Sequence, residues 1–124
     1  MKVLNESYED YLKAIYLISK ENKGGWVSNS EISNFLSITP ASVSEMLHKL
    51  KNNGFITWKP RSSIRLTQQG KKIAIQMIKN YKNLRDFFIK ILKINDRGLI
   101  DEICCGIEHH ITPEIVKALK NLSN

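Results

Sequence analysis

The chain has 124 residues, 42% hydrophobic and 25% charged, with a formal net charge of +7, enough for one compact unit or a small domain with a helical appendage. No apolar run approaches the roughly 18 residues that span a bilayer, and no basic stretch followed by an apolar one marks a secretory signal; the expectation is a cytoplasmic protein with no membrane partner. Between Glu45 and Asp86 the sequence places ten Lys or Arg residues and no acid, a one-sign field that favours a polyanionic partner over a merely solvated face.

In chain order, Ser7 reads as the N-cap of a first helix, with Glu9 and Asp10 in the first turn, where the helix dipole favours acids. Tyr11, Leu12, Ile15 and Ile18 follow at helical spacing. Asn22-Lys23-Gly24-Gly25 stops it, and Trp26-Val27 is extended. Ser28 and Glu31 fit a capping box for a short second helix with Ile32, Phe35 and Leu36 on its apolar face. After the turn at Ser37-Ile38, Thr39-Pro40 reads as N-cap and first position of a third helix. Val43, Met46, Leu47 and Leu50 form its core stripe, and Asn53 or Gly54 suits a left-handed cap.

Two short helices joined by a tight turn make a helix-turn-helix signal. The outward face of the third helix starts with small and polar residues, Ala41, Ser42, Ser44 and Glu45, so its N-terminus can approach bases and phosphates closely. With Thr39 and Lys49 these are the candidate DNA-contacting residues. Phe55–Lys59 and Ile64–Leu66 then read as the strands of a hairpin with a basic tip, a wing whose Lys59, Arg61 and Arg65 suit phosphate or minor-groove contact. This order of elements points to a winged helix-turn-helix.

Thr67 caps a long helix whose apolar residues recur from Gly70 to near Ile94. Its second half, with Phe87, Phe88, Ile89, Ile91 and Leu92, is too long for a domain of this size to cover, and a dimer partner is the natural candidate. Asn95-Asp96 starts another helix, and Thr112-Pro113-Glu114 starts a last one with a stripe of Ile115, Val116, Leu119 and Leu122. The predicted fold is mainly α with a small β-hairpin wing: a winged helix-turn-helix over residues 1–70, then a helical domain over 71–124.

Cys104-Cys105-Gly106-Ile107-Glu108-His109-His110 carries the remaining chemistry. Adjacent helical cysteines are a poor disulfide pair. If the stretch is α-helical, Cys105, Glu108 and His109 share one face, joined by Asp101 one turn earlier. Thiolate, carboxylate and imidazole together suit a divalent transition metal. The competing readings are cysteines and histidine as plain core, vicinal-thiol redox sensing, and a Cys105–His109 nucleophile–base pair. The last is disfavoured by the lack of a glycine-rich phosphate loop, an oxyanion site or chain enough for a cleft. The expectation is a non-enzyme with no small organic substrate.

Three stretches resemble the metal-dependent repressors typified by the diphtheria toxin repressor and the manganese transport regulator. Tyr8–Tyr16 looks like the family's first helix, Ser37–Ser44 followed by Leu47–Leu50 like its recognition helix, and Gly106–Thr112 like its metal-binding helix. The resemblance covers nearly the whole chain and matches members that end after the dimerisation domain. It implies a homodimer on double-stranded operator DNA, with Mn(II) or Fe(II) as co-repressor of metal-uptake genes. It also implies metal ligands: Glu108 and His109 fall on family ligands, Asp10 on the first-helix aspartate of manganese-type members, and Cys105 on the cysteine of iron-type members. Lys13 stands where manganese-type members have a further carboxylate, and Lys82 where the long helix normally supplies a histidine. A protonated lysine repels a cation, so Asp86 and Asp101 read as remnants of a second site. A metal-independent winged-helix regulator is the alternative these lysines support.

Overall fold

The computed structural model describes residues 6–59 and 62–123. The chain divides into two compact units, residues 1–75 and 76–124, the division falling inside one long helix.

The first unit opens with α1 (Glu6–Glu21). Ser7 lies inside this helix rather than capping it, and Glu6 joins Glu9 in the first turn. Both acids suit that end of the helix dipole. A 3₁₀ turn at Lys23–Gly25 follows, with Gly24 and Gly25 at φ 75°. The capping box then forms as read: Ser28 Oγ accepts from the Glu31 amide at 3.1 Å, and the Ser28 amide donates to Glu31 at 2.9 Å. It starts α2 (Asn29–Leu36). Of the expected apolar face, Ile32 is fully buried, but Phe35 is 52% exposed. Helix α2 is two turns long, and its inner face is completed by Ser33, whose hydroxyl donates to the Ile38 carbonyl. That bond and the left-handed Ser37 shape the turn.

Thr39 caps α3 (Pro40–Asn52), with Pro40 at the helix start. Val43, Leu47 and Leu50 are fully buried, with Met46 packed at the core edge. Gly54 (φ 78°), not Asn53 (φ −92°), takes the left-handed position after the helix. The hairpin is shorter than its sequence signal. Strands β1 (Ile56–Thr57) and β2 (Arg65–Leu66) pair antiparallel, Ile56 with Leu66 and Thr57 with Arg65. Trp58 and Lys59 lie beyond the ladder. Val27 bridges to Ile64 on the other side, its amide donating at 3.0 Å and its carbonyl accepting at 2.7 Å.

Helix α4 (Gln68–Asp86) starts where Thr67 Oγ1 accepts from the Gly70 amide. Gly70 is required by close approach: a Cβ there would lie 2.1 Å from the Phe55 carbonyl oxygen. The first unit thus encloses one apolar core, including Leu12, Ile15, Ile32, Val43, Leu47 and Ile64, all fully buried. Each such side chain contributes about 1.5–3 kcal/mol on burial, more than the roughly 1 kcal/mol of a cap. Packing holds this unit, and the caps set where its helices begin.

In the second unit the helix expected to reach Ile94 changes form. After Asp86 it widens into a π-helical turn (Phe87–Ile91) and ends where Lys93 adopts φ 58°. Asp96 caps α5 (Arg97–Ile107), accepting from the Leu99 amide at 3.1 Å. Thr112 accepts from the Ile115 amide to start α6 (Pro113–Ser123). This unit's core is small: Leu84, Ile100, Cys104 and Leu119, edged by residues such as Tyr81, Phe88 and Ile111. Ile91, Leu92, Leu99, Ile107, Ile115 and Leu122 remain between 38% and 55% exposed.

Candidate functional site

Two surfaces carry chemistry, one in each unit. In the first, the exposed start of α3 presents Thr39, Ala41, Ser42 and Glu45, with Lys49 exposed further along. Thr39 Oγ1 accepts from the Ser42 amide at 3.1 Å and donates to the Ser42 hydroxyl at 2.9 Å, which fixes both side chains. Ser44 is half-buried and accepts from Asn29 at 2.9 Å, so part of its role is to hold α2 against α3.

The wing is tied down by aromatic contacts that the sequence reading missed. His48 on α3 meets the edge of Trp58, ring centroids 4.7 Å apart. Arg65 donates to the Gly24 carbonyl at 2.8 Å, and its guanidinium lies over the Trp26 ring at 4.8 Å. Arg65 therefore holds the base of the wing as well as adding charge. Lys59 is exposed, and Arg61 lies outside the described residues. The missed signal was the chain's two tryptophans, Trp26 and Trp58, each in a short extended stretch of this unit.

In the second unit, α5 ends at Ile107 and Glu108–His110 form a 3₁₀ turn. The uniform α-helical face assumed for Cys105, Glu108 and His109 does not persist. Ile111 is extended ahead of Thr112-Pro113, and the residue before a proline disfavours helix. The turn leaves Cys105 exposed, buries Cys104 completely, and buries Glu108 and His109 at 1% and 6% exposure. Both cysteines are thiols. Burial, aided by the nearby Cys105, Asp101 and Glu108, pushes the Cys104 thiol up, so Cys104 stays protonated as core filling.

Glu108 and His109 are the two candidate ligands brought together within this unit: His109 Nε2 lies 3.9 Å from Glu108 Oε2. With bonds of about 2.0–2.2 Å to nitrogen and oxygen, two donors of one ion lie within about 4.4 Å of each other, so this spacing fits. A nearly fully buried carboxylate also calls for a compensating cation or donor. The donor set therefore fits a first-row divalent ion.

Asn80, 1% exposed on α4, fixes the turn. Its amide donates to the Glu108 carbonyl at 3.0 Å and reaches the Ile111 carbonyl at 3.5 Å, while Gln76 donates to its Oδ1 at 2.9 Å. Its sequence signal was a polar residue on the apolar line between Met77 and Leu84. Asp10 is exposed on α1, in the first unit. Of the second-site remnants, Asp101 accepts a hydrogen bond from the Tyr81 hydroxyl. That bond, with burial and the Asp101 charge adding to it, pushes the Tyr81 phenol up to about 12. Asp86 is half-buried at the end of α4.

A winged helix followed by a helical unit with a buried carboxylate–imidazole pair defines a DNA-binding regulator with a metal centre. Comparison with known proteins agrees. Residues 3–64 match the iron dependent repressor N-terminal DNA binding domain, and residues 67–124 match the iron dependent repressor metal binding and dimerisation domain. The chain belongs to the iron-dependent repressor family of metal-dependent DNA-binding transcriptional regulators, whose members are not enzymes. It is 32% identical over 117 residues to an HTH-type transcriptional regulator of Methanocaldococcus jannaschii, covering 94% of this chain and 92% of that protein. It is 31% identical over 116 residues to the HTH-type transcriptional regulator MntR of Shouchella clausii, covering 94% and 78%. The crystal structure of T. acidophilum IdeR superimposes with a TM-score of 0.74 at 25% identity, covering 98% of this chain and 55% of that one. The chain thus spans about half the length of that solved relative. Among the described residues no helix is long and apolar enough to cross a membrane.

Proposed function

We propose that this chain is a repressor of metal-ion uptake that binds double-stranded operator DNA as a homodimer in the cytoplasm, with Mn(II) or Fe(II) as co-repressor. The observation that carries this reading is the buried Glu108–His109 pair, held by Asn80 in a chain whose other half is a winged helix.

Helix α3 is the recognition helix. Its small N-terminal residues, Ala41, Ser42 and Ser44, let the backbone approach base edges, while Thr39 and Glu45 offer polar contacts there. Lys49, Lys59, Arg61 and Arg65 neutralise phosphates, which fixes register and makes affinity salt-dependent. The proposed metal ligands are Asp10, Cys105, Glu108 and His109. A bound Mn(II) or Fe(II) supplies the positive charge that holds these donors together. Glu108 and His109 offer one oxygen and one nitrogen; Asn80 keeps their turn in place by its bonds to the turn carbonyls. Asp10 belongs to α1 and the other three ligands to the helical unit, so loading biases the DNA-binding unit toward its operator-competent arrangement. The exposed apolar residues Leu92, Leu99, Ile115 and Leu122 suit burial against a second copy.

The test is binding to the protein's own upstream DNA at fixed salt, comparing chelator, Mn(II) and Fe(II), for wild type and Glu108→Ala/His109→Ala. Metal should tighten specific binding at least about tenfold, a coupling of about 1.4 kcal/mol, and the double variant should lose that gain. Specific binding indifferent to metal would instead establish a metal-independent winged-helix regulator, the reading that Lys13 and Lys82 favour.

A further inference from the structure

A separate cleft of about 450 Å³ opens in the second unit, and neither Glu108 nor His109 lines it. Its polar wall holds Lys82 and Arg85 from α4 and Arg97, the first residue of α5, with Ile100 on the apolar side. The acid in its lining is Asp101, whose carboxylate already accepts the Tyr81 hydroxyl. Among the described residues, no carboxylate lies within 4.0 Å of the Lys82, Arg85 or Arg97 nitrogens. Three cations thus converge on one concave surface against one engaged acid.

The chemistry decides which ligand suits this place. Lysine and guanidinium groups repel a divalent cation, and Asp101 alone does not offset three of them. Lys82 and Arg97 are exposed and Arg85 half-buried, so solvent screens part of the repulsion between these like charges without removing it. An oxyanion removes that repulsion. Guanidinium groups present paired N–H donors that match phosphate oxygens, and lysine adds a point charge. A volume of this size falls within the range of small-molecule sites and exceeds what a bare phosphate fills. The Ile100 side then accommodates an apolar substituent.

We propose that this cleft binds a small phosphate-bearing molecule through Lys82, Arg85 and Arg97. The proposal is independent of the Glu108–His109 centre.

The test is an NMR titration of the chelator-treated full chain with inorganic phosphate and with phenyl phosphate at constant ionic strength, following the Nε–H resonances of Arg85 and Arg97. Both probes should give saturable shifts, with phenyl phosphate binding more tightly. Lys82→Ala/Arg97→Ala should weaken binding at least tenfold, Lys82→Arg should retain it, and Lys49→Ala/Lys59→Ala should leave it unchanged. Far-UV circular dichroism checks that each variant is folded, and the wild-type arginine shifts stand even if one is not. Linear shifts, or shifts confined to the winged-helix unit, would overturn the site in favour of general attraction to a basic surface. Saturable Mn(II) binding in the cleft, abolished by Asp101→Asn, would overturn it in favour of a second metal.

Discussion

The two units spend their buried volume differently. The first closes an apolar core of helix and strand residues, with Leu12, Ile15, Ile32, Val43, Leu47, Leu50 and Ile64 fully buried. The second buries Glu108, His109 and Asn80 while leaving Leu92, Leu99, Ile115 and Leu122 substantially exposed. A polar group is costly inside unless it is partnered, and Asn80 meets that cost with its bonds to the turn carbonyls, while the apolar side chains named stay uncovered within the unit. The second unit is shaped for a metal and a second copy, whereas the first is shaped for its own stability and for what it holds outward.

Changes in the two units should therefore fail in different ways. The largest effect belongs to the first core. Leu47→Ala should cost about 2–5 kcal/mol in chemical denaturation and abolish DNA binding with or without metal. A loss well under 1 kcal/mol would show that the core is not the closed one described. Next comes Asn80→Ala, which strips a donor from two carbonyls and leaves Gln76 without its acceptor. It should cost about 1–3 kcal/mol and weaken metal binding about 10–100-fold, read by calorimetric titration. Unchanged metal affinity would break the link between α4 and the metal turn.

Smaller still is Ser28→Ala, about 1 kcal/mol from the lost cap. The same box carries a pH dependence. Hydrogen bonds from the Asn22 amide, then from the Ser28 backbone, hold the Glu31 carboxyl below its ordinary range. A carboxyl with a lowered folded pKa contributes stability above its unfolded pKa and loses it as pH falls through the folded value. Glu31→Gln should flatten that acid limb of the stability profile. At the bottom of the scale, Phe35→Ser should change stability by no more than about 0.5 kcal/mol, because Phe35 is 52% exposed. A large loss would return Phe35 to the core.

The fold was legible where one local rule acted alone. Ser28–Glu31, Thr39-Pro40, Asp96 and Thr112-Pro113 each marked a helix start, and each forms a cap. Periodicity was less reliable at the ends of elements. It placed Phe35 inside because it counts faces, not the area that neighbouring helices cover. It carried the long helix to Ile94, past a π-helical turn that no propensity rule marks. At the metal turn, Glu108 and His109 stood out as chemistry. The division between a buried Cys104 and an exposed Cys105 did not, because it depends on what α5 packs against and on where that helix stops. Asn80 went unnoticed because a lone polar residue in a long helix acquires meaning only through the carbonyls it meets.

The aromatic ties of the wing have a spectroscopic consequence. Both tryptophans of the chain, Trp26 and Trp58, belong to the first unit. Trp26 is half-exposed beneath a guanidinium, while Trp58 is buried at the edge of an imidazole. Intrinsic tryptophan emission is thus a label confined to the DNA-binding half, with one fluorophore sensing solvent and the other the interior. The opposite half contributes no indole signal. Emission and circular dichroism recorded on one denaturation series therefore resolve the melting of the winged helix from that of the whole, with no dye attached.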